Sequence, residues 1–272
     1  MFQQIIPLFD HLPAWLLVFF RISGLFIYSP IFASQIIPVR IKVFLALGLS
    51  FCVYPALWPV DVAAASVGSA SIVGVVANGV GLWEMIPMIG LELLIGIVVG
   101  YGAMIPFVAM QMAGKVIDQQ MGLGLGGVFN PDLGADSGMT GQFYYILGIF
   151  LFMIFGGHQI VLMIVVESFD AIPLGGFVID GELFDHIGGM LDTMMQMAFK
   201  IAAPVICILF LQQVAMGFIA RTIPQMNILS IGFAIRIVVA SLIVILLVGM
   251  DAQVFIASMR TTLWNLSDLI MR

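Results

Sequence analysis

Long runs without a charged residue organise this chain: 22–39, 43–60, 62–83, 93–114, 137–166, 201–220 and 222–250, the last interrupted only by Arg236. About 20 mostly apolar residues suffice for a helix to cross a bilayer, so several of these runs predict membrane-spanning helices. The run 62–83 is rich in Gly, Ala and Ser and buries little area per residue. It reads equally as a loop or as a helix packed through small residues. Prolines inside the runs, Pro30, Pro106 and Pro204, predict kinks or breaks, since each removes a backbone donor and crowds the preceding turn. Freed backbone groups cannot face lipid, so broken helices call for protein neighbours or a wet cavity. Gly96 and Gly100 form a Gly-x-x-x-Gly that permits close helix approach, a pattern common by chance in a glycine-rich chain. The expectation is an all-α membrane protein of kinked and broken apolar hairpins.

Composition sharpens this picture. Of 272 residues 62% are hydrophobic and only 9% charged, against about 25% charged in soluble domains. Nine Lys and Arg against 15 Asp and Glu leave a net charge of −6, which offers no basic stripe for a run of phosphates and argues against nucleic acid as a partner. Arg40, Lys42, Lys115 and Arg221 fall where short connections are expected. By contrast, 167–195 holds Glu167, Asp170, Asp180, Glu182, Asp185 and Asp192 with no basic residue. That asymmetry places the N-terminus and an acidic loop over 167–195 on the outer side. The first apolar segment follows no basic region and runs into Arg21, so it reads as a retained helix and not a cleaved signal. Cys52 and Cys207, far apart in apolar surroundings, read as small buried hydrophobes.

Candidate chemistry is sparse. Gly122-Leu-Gly124-Leu-Gly126-Gly127 matches G-x-G-x-x-G in form, but no strand precedes it and no acidic residue lies about 20 positions on, so it is no dinucleotide loop. Its glycines instead predict a tightly turned or flexible loop. Asn130, Asp132 and Asp136 have a calcium-like spacing, but Gly141 stands where the bidentate Glu belongs. His11, His158 and His186 are isolated, leaving no metal ligand set. Val116 after Gly114-Lys115 occupies the place of the P-loop hydroxyl, which excludes ATP binding of that kind. An enzyme is therefore not expected, nor a cofactor. The informative polar residues are those in or beside apolar runs: Arg21, Glu84, Glu92, Lys200, Arg221 and Arg236. Each either snorkels, pairs between helices or subunits, or lines a polar path. Met104, Met110, Met112 and Met121, with Phe107 and Phe129, surround the glycine run. Methionine's unbranched, polarizable side chain suits a seal that closes on nothing and yields to varied cargo.

Several phrases together resemble the FliR family of flagellar and related type III secretion export-gate proteins. They are Arg21-Ile-Ser-Gly24 with Pro30; Ile37-Pro38-Val-Arg40-Ile-Lys42; Pro55; Glu92-Leu-Leu-Ile-Gly96-Ile-Val-Val-Gly100; and Gln111-Met-Ala-Gly114-Lys115-Val-Ile-Asp118-Gln119-Gln120-Met121-Gly122. Asn130-Pro131, Gly157-His158, Ser168-Phe169, Pro173 and Gly217-Phe-Ile-Ala-Arg221-Thr-Ile-Pro224-Gln225-Met226-Asn227 with Gly232 complete them.

The resemblance implies a single-copy core subunit of an export gate in the bacterial inner membrane, at the flagellar basal body. Its partners would be FliP, FliQ, FlhB and FlhA-type proteins, with membrane lipid around them and unfolded rod, hook and filament proteins passing through. It also implies a FliP-like part over 1–195 and a FliQ-like helical hairpin over 196–272, in a helical hetero-oligomer that lifts apolar helices out of the bilayer plane. The family's pore-plugging loop corresponds to about 107–129, which includes Phe107, Met110, Met112, Lys115, Met121, Gly122, Gly124, Gly126, Gly127 and Phe129. Arg221 to Asn227 matches the family's hairpin turn. A secondary transporter or proton channel acting alone, built on Pro106, Pro204, Glu92, His158 and Lys200, is the competing reading.

Overall fold

The computed structural model describes residues 6–30, 32–33, 37–57, 82–123, 138–177, 181–222 and 228–271. All regular structure among them is α-helical, in seven helices: α1 Ile6–Tyr28, α2 Val39–Leu57, α3 Leu82–Met121, α4 Met139–Ile154, α5 Gly157–Ala171, α6 Gly181–Thr222 and α7 Ile228–Met271. Five are long and apolar enough to cross a membrane, and the pair α4 and α5, separated by a short break, passes the same test as one span. The protein is an all-α membrane protein. Most of the uncertain run 62–83 lies outside the described residues.

The chain divides into two compact units. One comprises Met1–Met104, Gly156–Gly188 and Thr261–Arg272, the other Ile105–Phe155 and Gly189–Arg260. These boundaries follow packing.

In the first unit α1 meets α3 through glycine. A side chain at Gly96 would strike the Arg21 carbonyl, and one at Gly24 the Leu93 carbonyl, while at Gly100 it would lie 2.9 Å from the Leu25 carbonyl. The Gly-x-x-x-Gly is thus a working contact, because only hydrogen atoms fit between the two backbones. Leu17, Val18, Leu25, Ile95, Val99 and Ala103 fill the buried surroundings. Helix α2 packs on α1 through Trp15 and Phe51, whose rings are 4.9 Å apart, and through His11 Nδ1 and the Tyr54 hydroxyl at 2.9 Å. Gly96→Ala is expected to cost about 1–3 kcal/mol through overpacking. Gly90→Ala on the same helix, with nothing within 4 Å of the added carbon, should be neutral or up to about 1 kcal/mol stabilising, because alanine favours a helix interior over glycine. Thermal melting of the detergent-solubilised chain measures both, and equal melting of the two variants would remove the crossing from the account.

In the second unit Phe107 is fully buried. Its ring meets Phe152 and Phe255 edge to face at 5.3 Å each.

Several expectations need correction. Residues 107–121, placed in a loop, are the last turns of continuous helix α3. Their buried residues Phe107, Met110, Ala113, Ile117 and Met121 recur at helical spacing. The acidic stretch 167–195 is likewise mostly helix: α5 runs to Ala171 and α6 starts at Gly181. Acidic side chains such as Asp170, Asp185 and Asp192 are exposed on it, where ionised groups stay hydrated at no cost to the helix. Helices α3 and α6 continue through Pro106 and Pro204 without a break, since a long hydrogen-bonded ladder survives the loss of one donor, whereas α1 ends at Tyr28, two residues before Pro30. A further break lies at Phe155–Gly156, where Gly156 adopts a left-handed φ of 68°. Cys52 and Cys207 are free and exposed, because much of this chain's apolar surface faces outward. Phe44, Phe199, Phe210, Phe218, Leu246 and Met250 are exposed too.

Candidate functional site

Two polar nodes stand out against this apolar background, one in each unit. In the first, Arg21 of α1 and Glu92 of α3 are both completely buried, with Nε donating to Oε2 at 2.5 Å. The rest of the guanidinium serves the end of α5. Nη1 donates to the Ser168 carbonyl at 2.8 Å and to its Oγ at 3.2 Å, and Nη2 donates to the Ile172 carbonyl at 3.2 Å. Glu92 Oε1 accepts from the Gly175 amide at 2.9 Å. The Phe169 ring lies under the guanidinium, 4.3 Å from its carbon.

The last carbonyls of any helix lack intrahelical partners, and a cation there also complements the helix dipole. Arginine's planar fork spreads its donors toward acceptors on separate segments and stacks on a ring, a geometry that a compact lysine ammonium does not match. This ion pair therefore ties α1, α3 and α5 together and shapes the turn at 172–175. Pairing and desolvation nearly offset each other in such a bridge, so its worth lies in specifying one arrangement of helices.

The second node lies at the end of α3. Gly122, with φ 86°, donates its amide to the Gln119 carbonyl at 3.1 Å, and Leu123 donates to the Asp118 carbonyl at 3.0 Å. This is the Schellman pattern of helix termination, which needs a left-handed residue and so favours glycine. Arg236 Nη1 of α7 donates to the Gln120 carbonyl at 3.3 Å, adding charge to the same C-terminus. The Asp118 carboxylate, only 3% exposed, accepts from the Thr140 amide at 3.1 Å and the Gly141 amide at 3.3 Å in the first turn of α4. Deeper in this unit the Tyr144 hydroxyl donates to Asp251 at 2.7 Å, both groups being buried.

Of the six charges singled out from the sequence, the structure brings Arg21 and Glu92 together and sets Arg236 at the end of α3. Lys200 and Arg221 are exposed: each sits on a helix face turned outward, where its long stem can carry the charge to a polar surface, the first of the three roles open to them. The side chain of Glu84 lies outside the described residues. Among the residues assigned to the plug, Phe107, Met110 and Met121 are buried, Met112 is partly buried, Lys115 is exposed and Gly122 forms the turn. Gly124, Gly126, Gly127 and Phe129 lie outside the described residues. Sequence reasoning missed Asp118, Tyr144, Asp251 and the carbonyls and amide around Arg21. Asp251 was detectable, being the acid that terminates the apolar run 222–250. A backbone partner such as Gly175 carries no signal in sequence. Among the described residues no three His, Cys, Asp or Glu side chains converge as a metal site.

Fold and nodes together define an integral membrane protein whose buried polar groups join and cap helices, with exposed apolar faces along much of its length. Sequence comparison gives the family. The profile of the bacterial export proteins, family 1, matches residues 12–262, and the chain belongs to that family. It is 29% identical over 243 residues to the flagellar biosynthetic protein FliR of Bacillus subtilis (strain 168), covering 87% of this chain and 86% of that one. It is 26% identical over 230 residues to FliR of Escherichia coli (strain K12), covering 83% and 82%. The Yop proteins translocation protein T of Yersinia pestis is 24% identical over 233 residues, covering 83% and 82%.

Proposed function

We propose that this chain is a core subunit of the flagellar type III protein export gate in the bacterial inner membrane. Together with FliP- and FliQ-type subunits, and beside FlhB- and FlhA-type proteins, it builds the conduit through which unfolded rod, hook and filament proteins leave the cytoplasm. The observation that carries this reading is the match to FliR proteins over more than four-fifths of both chains.

Helix dimensions support it. Helices α6 and α7 have 42 and 44 residues; at about 1.5 Å per residue each runs roughly 60 Å or more, about twice the hydrocarbon core of a bilayer. Only 22% of the apolar stretch of α6 and 17% of that of α7 is buried within the chain, against 61% for α3. Helices too long for lipid alone and too bare for a monomer fit an assembly in which neighbouring subunits cover them. The likeness of 1–195 to FliP and of 196–272 to FliQ follows from the same reading. In it, the last turns of α3 from Phe107 to Met121 support the sealing segment, and the glycine run beyond them, through Phe129, does the sealing.

Deletion of the gene should abolish secretion of filament protein, and the tagged chain should leave the membrane with two other small apolar proteins. Continued secretion without the chain would overturn the proposal. Transport of a small solute by the chain reconstituted alone would favour a self-sufficient transporter or proton channel instead.

A further inference from the structure

Helix α4 begins without a cap of its own. Its N-cap is Gly138, which has no side chain to offer the first-turn amides, and four such amides per helix lack intrahelical acceptors. Asp118 supplies the missing acceptor from another helix: Oδ1 and Oδ2 lie 3.3 and 3.1 Å from the Thr140 amide, and Oδ2 lies 3.3 Å from that of Gly141. The same residue's backbone carbonyl closes the end of α3 by accepting from Leu123 at 3.0 Å. One residue therefore terminates one helix with its main chain and starts the next with its side chain.

Glycine makes this possible. A side chain at Gly138 would strike the Asp118 carboxylate, and one at Gly114 would fall 2.5 Å from the Gly141 backbone. Among the described residues the buried carboxylate has no hydrogen-bond partners besides these two amides. Its charge is stabilised by the first-turn amides and the dipole of α4 while α4 stays docked.

We propose that Asp118 is a positioning residue of the export subunit, which makes the last turn of α3 and the first turn of α4 move as one body under the load of a passing polypeptide. This rests on the export-gate reading. Loss of the clasp should let the two helix ends separate, which weakens the seal before it weakens the fold.

Hydrogen exchange on the intact membrane complex tests the clasp directly. In Asp118→Ala the Thr140 and Gly141 amides should exchange at least about fivefold faster, the change expected from loss of a helix cap. The Gly122 and Leu123 amides, bonded to backbone, should keep their rates. Asp118→Asn, which retains one acceptor oxygen, should recover part of the protection. In cells, Asp118→Ala should leak small solutes through the export apparatus, and Asp118→Asn should leak less. Should Asp118→Ala fail to accumulate, Thr140→Pro removes one donor in the first turn of α4, whose amides have no intrahelical acceptor to lose, and the Gly141 amide and the leak remain readable. Unchanged exchange at Thr140 and Gly141 would overturn the clasp. Faster exchange with no leak and normal secretion would overturn its positioning role. The export-gate reading is judged separately by the deletion strain, so the two can fail independently.

Discussion

Glu92→Ala should lower the stability of the chain by about 3–5 kcal/mol, because it leaves the Arg21 guanidinium buried without a counter-charge. Arg21 is completely inaccessible, so water does not replace the lost partner. The Gly175 amide loses its acceptor in the same substitution, adding the cost of an unpaired buried donor. Arg21→Ala should be as damaging, since it strands Glu92 and takes the donor from the Ile172 carbonyl, while the Ser168 carbonyl keeps only the Ile172 amide. Arg21→Met with Glu92→Leu removes both charges and should recover much of the loss, though not all, because the Ile172 carbonyl and the Gly175 amide lose their side-chain partners. Chain abundance in membranes and the melting midpoint in detergent measure the series. If the double variant proves no better than either single one, the uncompensated charge is not the cause. If Glu92→Ala accumulates and melts like the parent, the pair contributes nothing and the node is incidental.

The second large effect concerns Phe107. Truncation to Ala removes a ring held by Phe152, Phe255 and Tyr145, and the nearby Gly148 leaves it the space it fills, since a side chain there would come within 3.3 Å of the ring. The loss should be about 2–4 kcal/mol, somewhat below the usual Phe→Ala cost because packing, more than exclusion of water, drives helix association in lipid. Phe107→Leu should cost less than about 1.5 kcal/mol. A residue forming a seal and a residue forming a core predict different outcomes. The core position loses melting temperature and abundance together. A seal would raise solute leakage at unchanged melting, and that result would return Phe107 to the gate.

How much of this could be read in advance depended on the physical signal each feature leaves. Long charge-free runs gave the helical membrane class, because the bilayer imposes a length and an apolarity that a linear count can detect. Arg21 and Glu92 were conspicuous for the complementary reason, as ions in places where an unpaired ion is costly. Which charge met which was not legible, since the partners lie 71 positions apart and half of the contacts are to backbone groups. The glycine run announced a turn, and Gly122 makes one, but periodicity from Phe107 to Met121 was overlooked beneath the family's loop. Proline leaves an ambiguous signal: it precedes no break at Pro106 or Pro204, where the helix tolerates one missing bond.

The order of residues alone established that this chain lives in a membrane, that its folded elements are helices, that it lacks the motifs of nucleotide or metal chemistry, and which family it resembles. Each of these depends on composition or local spacing, quantities that do not require knowing what lies alongside. Only the folded structure decided that Gly96 and Gly100 are a helix crossing, that Arg21 serves α5, that Phe107 is core, and that Asp118 caps a helix not its own. Those are matters of contact between distant segments, where distance and burial set the energy and the sequence separation carries no information about either.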